Sequence, residues 1–507
     1  MWKEAMPKRA IPTNRPNIVL DHSSPAPLYR QLYERLRTAI LTGQLEAGAR
    51  LPSTRALAGE LGVSRTTATV VYEQLLMEGY IESRVGDGTR VARLRSREPD
   101  GYSQPVANQH ATAPSSTPAE LSQRGQLLLR TPDPGGLYQI RPMSGASIFH
   151  AGQPDAAAFP YELWARLLAK RARRSLQAAA HYQNAEGYYP LREAIASHIG
   201  ITRGVRCAPE QVLLTAGSQG ALDLAARVLL DPGDIAWTED PGYLGARGAL
   251  LAAGAQVIPV PVDAEGIDIP AGQARAPNAR IVSVTPSHQF PTGVTMSLSR
   301  RLALLEWSRQ AQAWILEDDY DSEYRFSGRP LDALQGLDDG QRVIYIGTFS
   351  KVLFPALRLG YLVVPPELVD GFVAMRRFID VHVPILEQLA LTDFMTQGHF
   401  ARHLRRMRAR YSARRNALIE ALNRECSGLL EVQVPEAGMH LVAWLPPDQD
   451  DRVAAQRALA QGIEVAPLST FSVAPLRRGG LMLGYAGATS AALRDGVQRL
   501  ARALRGR

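Results

Sequence analysis

Cysteine is nearly missing from this 507-residue chain: Cys207 and Cys426 are its only two. They are far apart and lack the spacing of a metal site, so neither a disulfide framework nor a zinc site is indicated, and no metal is expected. Long hydrophobic runs are missing too. No uninterrupted apolar stretch reaches the roughly 18 residues that a membrane span needs. The opening "MWKEAMPKRAIPTNRPN" has no apolar core of a secretion signal, which gives the expectation of a cytoplasmic protein with no membrane partner. Charge of one sign does not dominate. The net charge of +8 and pI near 9.5 permit a polyanionic partner such as DNA without requiring one. No fixed-period repeat occurs.

What is present divides the chain. The length exceeds one core and suggests several domains. Residues 93–145 include "DGYSQPVANQHATAPSSTPAELSQ", rich in Pro, Ser, Ala, Thr and Gln without a sustained apolar period, and read as a linker. Before it, residues 22–92 read as one unit. "PLYRQLYERLRTAILTG" sets Leu28, Leu32, Leu36 and Ile40 at helical spacing. "LPSTRALAGELG" and "VSRTTATVVYEQLLMEG" predict two further helices that turn at Gly62, with Ser53 and Ser64 as N-caps. "YIESRVGDGTRVA" alternates about Gly86-Asp87-Gly88 as a hairpin. Three helices and a hairpin form a winged helix-turn-helix, an α+β module.

In such a module the second helix of the motif enters the major groove by its N-terminal end. Here that end is Ser64-Arg65-Thr66-Thr67, polar and unbulky, while Ala68, Val71 and Leu75 face the core. Ser53 and Arg55 are placed to reach phosphates, and Gly88 and Thr89 on the wing to touch the neighbouring backbone. The stretch "LPSTRALAGELGVSRTTATVVYEQLLMEGYIESRVGDGTRVA" closely resembles the GntR-type winged helix family, with its LPS-x-R, LGVSR-x-T and Gly-x-Gly-T wing pattern.

After the linker, residues 146–507 alternate strand and helix patterns, as in a mostly parallel sheet covered by helices. A large part spans about 180–370 and a smaller C-terminal α/β part about 371–507. Polar residues gather where strands end, the place where open α/β sheets bind ligands. "GTFSKVLFPALRLGYL" puts a lone lysine, Lys351, at one such end. A lysine can form a Schiff base with an aldehyde, and pyridoxal 5'-phosphate is the usual aldehyde in this setting.

That cofactor needs a phosphate cradle, an acid for its pyridine nitrogen, a donor for its phenolic oxygen and a flat group over its ring. "AGSQGA" offers Ser218 and Gln219 at a helix N-terminus. Thr348 and Ser350 flank the lysine and Arg358 follows it. Asp318 in "EDDYDSEY" suits the acid and Tyr320 the donor. Tyr243 in "EDPGYLG" suits stacking, and Gln289 in "PSHQFPTG" a further polar contact. Taken singly, Glu317-Asp318-Asp319 could be a solvated acidic turn and Tyr243 a core aromatic; the combination favours the site.

With these motifs, residues 150–500 resemble a fold-type I aminotransferase. Behind a GntR-type winged helix, the whole resembles the MocR/GabR family of bacterial regulators. The resemblance implies that Lys351 is the Schiff-base lysine, Asp318 the pyridinium partner, Tyr320 the phenolate partner and Tyr243 the stacking ring. Ser218, Gln219, Thr348, Ser350 and Arg358 would hold the phosphate. It further implies a homodimer, a DNA operator with repeated or inverted half-sites, and an amine or pyridoxal phosphate as effector.

Two departures stand out. Aminotransferases usually have Asn where Gln289 stands, and many carry a carboxylate-binding arginine where this chain reads "GGLMLGYAG". Arg477 or Arg478 could substitute, or the effector is not an ordinary α-amino acid. The rival reading is a working aminotransferase with an attached DNA-binding module. Finally, "FARHLRRMRARYSARR" buries Phe400, Leu404, Met407 and Tyr411; its arginines read first as a solvated face and second as a phosphate-contacting surface.

Overall fold

The structure, a computed structural model, describes residues 18–84, 88–93, 121–131, 148–175, 180–328, 331–339 and 342–506. The chain divides into two compact units, 1–117 and 118–507.

In the first unit, α1 (Leu28–Leu41), α2 (Thr54–Leu61) and α3 (Arg65–Met77) pack around Leu32, Leu36, Leu57, Val71 and Leu75. The apolar residues recur at three- and four-residue spacing, so each helix has one buried face. Ser53 and Ser64 cap as expected. Ser53 Oγ accepts from the amide of Ala56 at 3.2 Å, and Ser64 Oγ from that of Thr67 at 3.0 Å. Gly62 ends α2 at φ +64, a left-handed conformation that glycine adopts without Cβ strain. The wing pairs β1 (Ile81–Arg84) with β2 (Gly88–Val91), Ile81 opposite Val91 and Arg84 opposite Gly88. Gly86 and Asp87, two of the three residues assigned to its turn, lie outside the described residues.

Most of the 93–145 stretch also lies outside them. Within it, Gln123–Arg130 forms a helix capped by Ser122, which the lack of apolar periodicity did not suggest.

The second unit is built on an eight-stranded sheet in the order β3-β10-β9-β8-β7-β4-β5-β6. Its strands are β3 (Val212–Thr215), β4 (Ile235–Asp240), β5 (Gln256–Asp263), β6 (Gly266–Ile267), β7 (Ile281–Val284), β8 (Trp314–Asp319), β9 (Val343–Thr348) and β10 (Gly360–Val363). The run β5-β4-β7-β8-β9 is parallel; β10 is antiparallel to both neighbours. Helices cover both faces, so the strands are apolar on both sides. Ile344 and Ile346 of β9 pack into one core, while Val343 and Tyr345 face the other side.

A smaller antiparallel sheet, ordered β11-β12-β14-β13, joins β11 (Glu431–Val432), β12 (His440–Trp444), β13 (Ala466–Pro467) and β14 (Gly480–Gly484). The helices His399–Glu425 and Ser490–Leu504 pack together beside it. Residues well ahead of the large sheet also reach this part. The amide of Gly484 donates to the carbonyl of Phe149 at 2.9 Å, and Asp155 pairs with Arg414 at 2.8 Å. Among the described residues no helix is long and apolar enough to cross a membrane.

Candidate functional site

A cavity opens where β4, β7, β8 and β9 end. Ala151, Gly152, Ser218, Tyr243, Thr285, Phe290, Asp318, Tyr320 and Lys351 line it. Lys351, three residues past the end of β9, donates from Nζ to the carbonyl of Gly152 at 3.0 Å.

Strand alternation sorts the acidic run at the end of β8. Glu317 accepts from the amides of Leu334 and Gln335 at 2.7 and 2.9 Å, and Asp319 pairs with Arg203 at 2.7 Å. Asp318 points to the other face, into the cavity. All three are buried, which rules out a solvated turn. Burial, reinforced by the charge of Asp319 and opposed by that of Lys351, pushes the Asp318 carboxyl up to about 7. Its Oδ1 is buried with no hydrogen-bond partner. A protonated pyridine nitrogen would satisfy that oxygen and favour the ionised carboxylate.

The helix Gly217–Leu229 starts without any side-chain cap, leaving first-turn amides available for an anion. Gly217 sits at φ +79, and a Cβ there would lie 3.0 Å from a terminal guanidinium nitrogen of Arg358. Arg358 is itself left-handed, at φ +52, and donates to the carbonyl of Ala216 at 2.7 Å. Ser350 Oγ is buried and unpartnered. Backbone amides and a guanidinium therefore meet at this helix start as a phosphate requires, and the Ser350 hydroxyl next to Lys351 is left with unused hydrogen-bonding capacity. Thr348 Oγ1 accepts from the amide of Ser350 at 3.2 Å and shapes this turn. Gln219 contributes through its place in the helix; its side-chain amide donates to the carbonyl of Gly245 at 3.0 Å. These donors and the unpartnered Asp318 oxygen fit pyridoxal 5'-phosphate.

Gln289 is a correction. Its side chain is not in the cavity lining: it donates to Glu239 at 3.2 Å and to the carbonyls of Pro241 and Phe290, and accepts from Thr292. The cavity wall at this point is Phe290, edge-on to Tyr243 at 5.8 Å. The sequence motif gave the loop correctly, but its backbone turns the neighbouring residue inward. Gly152, Thr285 and Phe290 were missed because no single motif links them to Lys351.

The substitute arginines are elsewhere. Arg477 and Arg478 line a separate surface hollow of about 520 Å³, and Arg478 is tied to Glu431 at 2.7 Å. Leu481, Met482 and Leu483 are fully buried in β14. On the helix His399–Glu425 the expected apolar stripe is buried. Arg408 donates to the Glu323 carbonyl at 3.0 Å, and Arg410 and Arg414 pair with Asp155. Those arginines hold the fold together.

His288, Asp321 and His440 form the one group among the described residues whose ligand atoms, within 4.8 Å of one another, could hold a metal. Hydrogen bonds already account for His288 Nδ1, which faces Asp321 at 3.1 Å and the Tyr320 hydroxyl at 3.0 Å.

In the winged helix, Arg55, Ser64, Arg65 and Thr66 are exposed and Thr67 is half-buried. Ser53 and Ser64 cap helices with their hydroxyls, which limits what they can offer a phosphate. Tyr29 and Val70 share a groove with Ser64, Thr66 and Thr67. Arg50, which the sequence reading passed over, stands beside the wing: a Cβ on Gly88 (φ +80) would lie 3.2 Å from its guanidinium.

Comparison with known proteins agrees with this division. Residues 28–91 match the bacterial regulatory proteins of the gntR family, and residues 150–500 match aminotransferase class I and II. The probable rhizopine catabolism regulatory protein MocR of Rhizobium meliloti is 44% identical over 95% of each chain. The transcriptional regulator TauR of Rhodobacter capsulatus is 37% identical over 94% of this chain and 96% of its own. Among solved structures, LysN, the α-aminoadipate aminotransferase of Thermus thermophilus complexed with N-(5'-phosphopyridoxyl)-L-leucine, superposes with a TM-score of 0.66 at 33% identity. That match covers 74% of this chain and 96% of LysN. The chain therefore belongs to the MocR-type regulators, in which a gntR-family helix-turn-helix precedes a class I and II aminotransferase domain.

Proposed function

We propose that the chain is a transcription regulator whose α3 reads an operator and whose aminotransferase-like domain, holding pyridoxal 5'-phosphate, senses an amine or the cofactor itself. The observation that carries this reading is one chain bearing both an exposed polar helix start, Ser64 to Thr67, and a cavity in which Lys351 and Asp318 meet.

Bound there, the cofactor supplies an aldehyde that joins primary amines reversibly. Lys351 would be the amine that holds it. Asp318 would keep the proton on the pyridine nitrogen, Tyr320 would donate to the phenolic oxygen, and Tyr243 would cover the ring. Ser218, Gln219, Thr348, Ser350 and Arg358 would form the phosphate end. An incoming amine competes with Lys351, and its different fit to two arrangements of the protein biases DNA binding. Leu481, Met482 and Leu483 give β14 no group for a carboxylate, which supports an effector other than an ordinary α-amino acid.

On the DNA, Arg65, Thr66 and Thr67 face base edges, while Ser53, Arg55, Gly88 and Thr89 position the backbone. The regulator acts as a homodimer, and two winged helices suit repeated or inverted half-sites. The module boundaries are 22–92 and 146–507, joined through 93–145. Turnover separates this function from that of a working aminotransferase: a sensor takes up an amine and stops, whereas an enzyme converts donor and acceptor repeatedly.

A further inference from the structure

Tyr320 lines the cavity, and its hydroxyl oxygen lies 3.0 Å from His288 Nδ1. The same nitrogen lies 3.1 and 3.2 Å from the two carboxylate oxygens of Asp321. His288 and Asp321 are both almost fully buried, so water cannot mediate these contacts. A ring nitrogen offers either one proton or one lone pair. A lone pair would face the Asp321 carboxylate at hydrogen-bonding distance and be repelled; a proton is attracted to it. With the proton on Nδ1, the Tyr320 oxygen is an acceptor there too, and its own hydrogen must point elsewhere.

We infer that His288, oriented by Asp321, is a positioning residue that fixes Tyr320 as a hydrogen-bond donor into the cavity. The inference rests on the reading of that cavity as a pyridoxal phosphate site, where the phenolic oxygen receives the bond.

The ring cannot easily turn to escape this role. A Cβ on Gly438 (φ +92) would collide with it, and one on Gly293 would lie 3.3 Å from its Nε2. His440, from β12, has its ring centroid 4.9 Å away and bonds through Nε2 to the Pro291 carbonyl at 3.1 Å. Burial pushes His440 down to about 3, so it stays neutral and does not compete for Asp321. Asp318, Glu239 and Tyr485 also bear on Tyr320 and Lys351 lines the same cavity, while the Tyr320 hydroxyl meets His288 directly at 3.0 Å.

The test is the pH midpoint of the visible absorbance of the cofactor in full-length holoprotein. A donor to the phenolic oxygen stabilises charge there most strongly once the adjoining nitrogen has lost its proton. Losing the donor therefore raises the midpoint, by about one pH unit. His288→Leu should raise it toward the value of Tyr320→Phe, and the double variant should match Tyr320→Phe alone, because His288 acts through that hydroxyl. His288→Asn, whose amide nitrogen can replace Nδ1 as donor, should restore the wild-type midpoint. If His288→Leu fails to melt cooperatively, Asp321→Asn supplies the same test, since it removes the charge that holds the proton on Nδ1. An unchanged midpoint in a folded His288→Leu or Asp321→Asn protein overturns the inference. So does a full His288→Leu shift in the Tyr320→Phe background, or stoichiometric zinc in the purified holoprotein. Failure of the wild type to give any visible band would instead remove the cofactor reading on which the inference stands.

Discussion

Lys351 and Gly152 are 199 positions apart, yet the amine of one donates to the carbonyl of the other at 3.0 Å. The strap holding Gly152 packs on the small sheet through Phe149, so the lysine touches a segment anchored to the C-terminal part of the same unit. Capture of this Nζ by an aldehyde would take it from the Gly152 carbonyl and an amine that released Lys351 would let the contact re-form, which would give effector binding a structural consequence beyond the cavity.

Gly152→Ala should disturb the lysine directly. Gly152 adopts φ +71 and its Cβ would lie 3.0 Å from Lys351 Nζ, so alanine is strained and pushes the amine aside. Slower covalent capture of pyridoxal phosphate is expected, read by borohydride reduction and mass analysis of the Lys351 peptide. Lys351→Ala should abolish that label while leaving DNA binding by the cofactor-free protein intact.

Gly217→Ala should weaken the phosphate end. The left-handed backbone costs about 1–3 kcal/mol in a residue other than glycine, and the added methyl meets Arg358. Cofactor affinity should fall at least about tenfold, measured by equilibrium titration, with the winged helix unaffected.

Asp318 sets a pH dependence. Its carboxyl is raised to about 7, chiefly by burial, above its value in the unfolded chain. The folded cofactor-free protein therefore binds more protons than the unfolded one between about 4 and 7, and stability falls as pH rises through that window. Asp318→Asn should raise the melting temperature of the cofactor-free protein by a few degrees at pH 8 and leave it unchanged below pH 4. The same substitution should weaken cofactor binding, because no carboxylate then faces the pyridine nitrogen.

Arg65→Ala and Arg55→Ala should both weaken operator binding, but differently. Arg65 opens α3, and in the proposed role it would face bases, so its loss should cost about 10- to 100-fold and relax sequence preference. Arg55 is exposed near the start of α2, and in the proposed role it would serve the backbone, so its loss should weaken binding to all sequences and lower the salt dependence. Fluorescence anisotropy at several salt concentrations distinguishes the two.

Much of this architecture is legible in the sequence, for identifiable physical reasons. Helical spacing in Leu32, Leu36 and Ile40 and the caps at Ser53 and Ser64 are local signals, so the winged helix emerges from them. The strand ends leading to Asp318, Tyr320 and Lys351 are equally local, and the fold brings them to one cavity. What escaped is non-local or a matter of side-chain direction. Nothing near Gly152 announces that it meets Lys351, and the inward turn of Phe290 instead of Gln289 depends on Glu239, which binds Gln289 from another strand. The helix Gln123–Arg130 escaped because its surroundings have the composition of a linker.

Communication between the Lys351 cavity and the operator is what a regulator of this kind requires. The most direct measurement is the affinity of full-length protein for operator DNA, cofactor-free and loaded with pyridoxal phosphate, then with candidate amines, for wild type and Lys351→Ala. The account predicts that loading or amine addition changes the wild-type affinity severalfold and leaves Lys351→Ala unresponsive. Equal wild-type affinities in every state, with the cofactor demonstrably attached to Lys351, would contradict it.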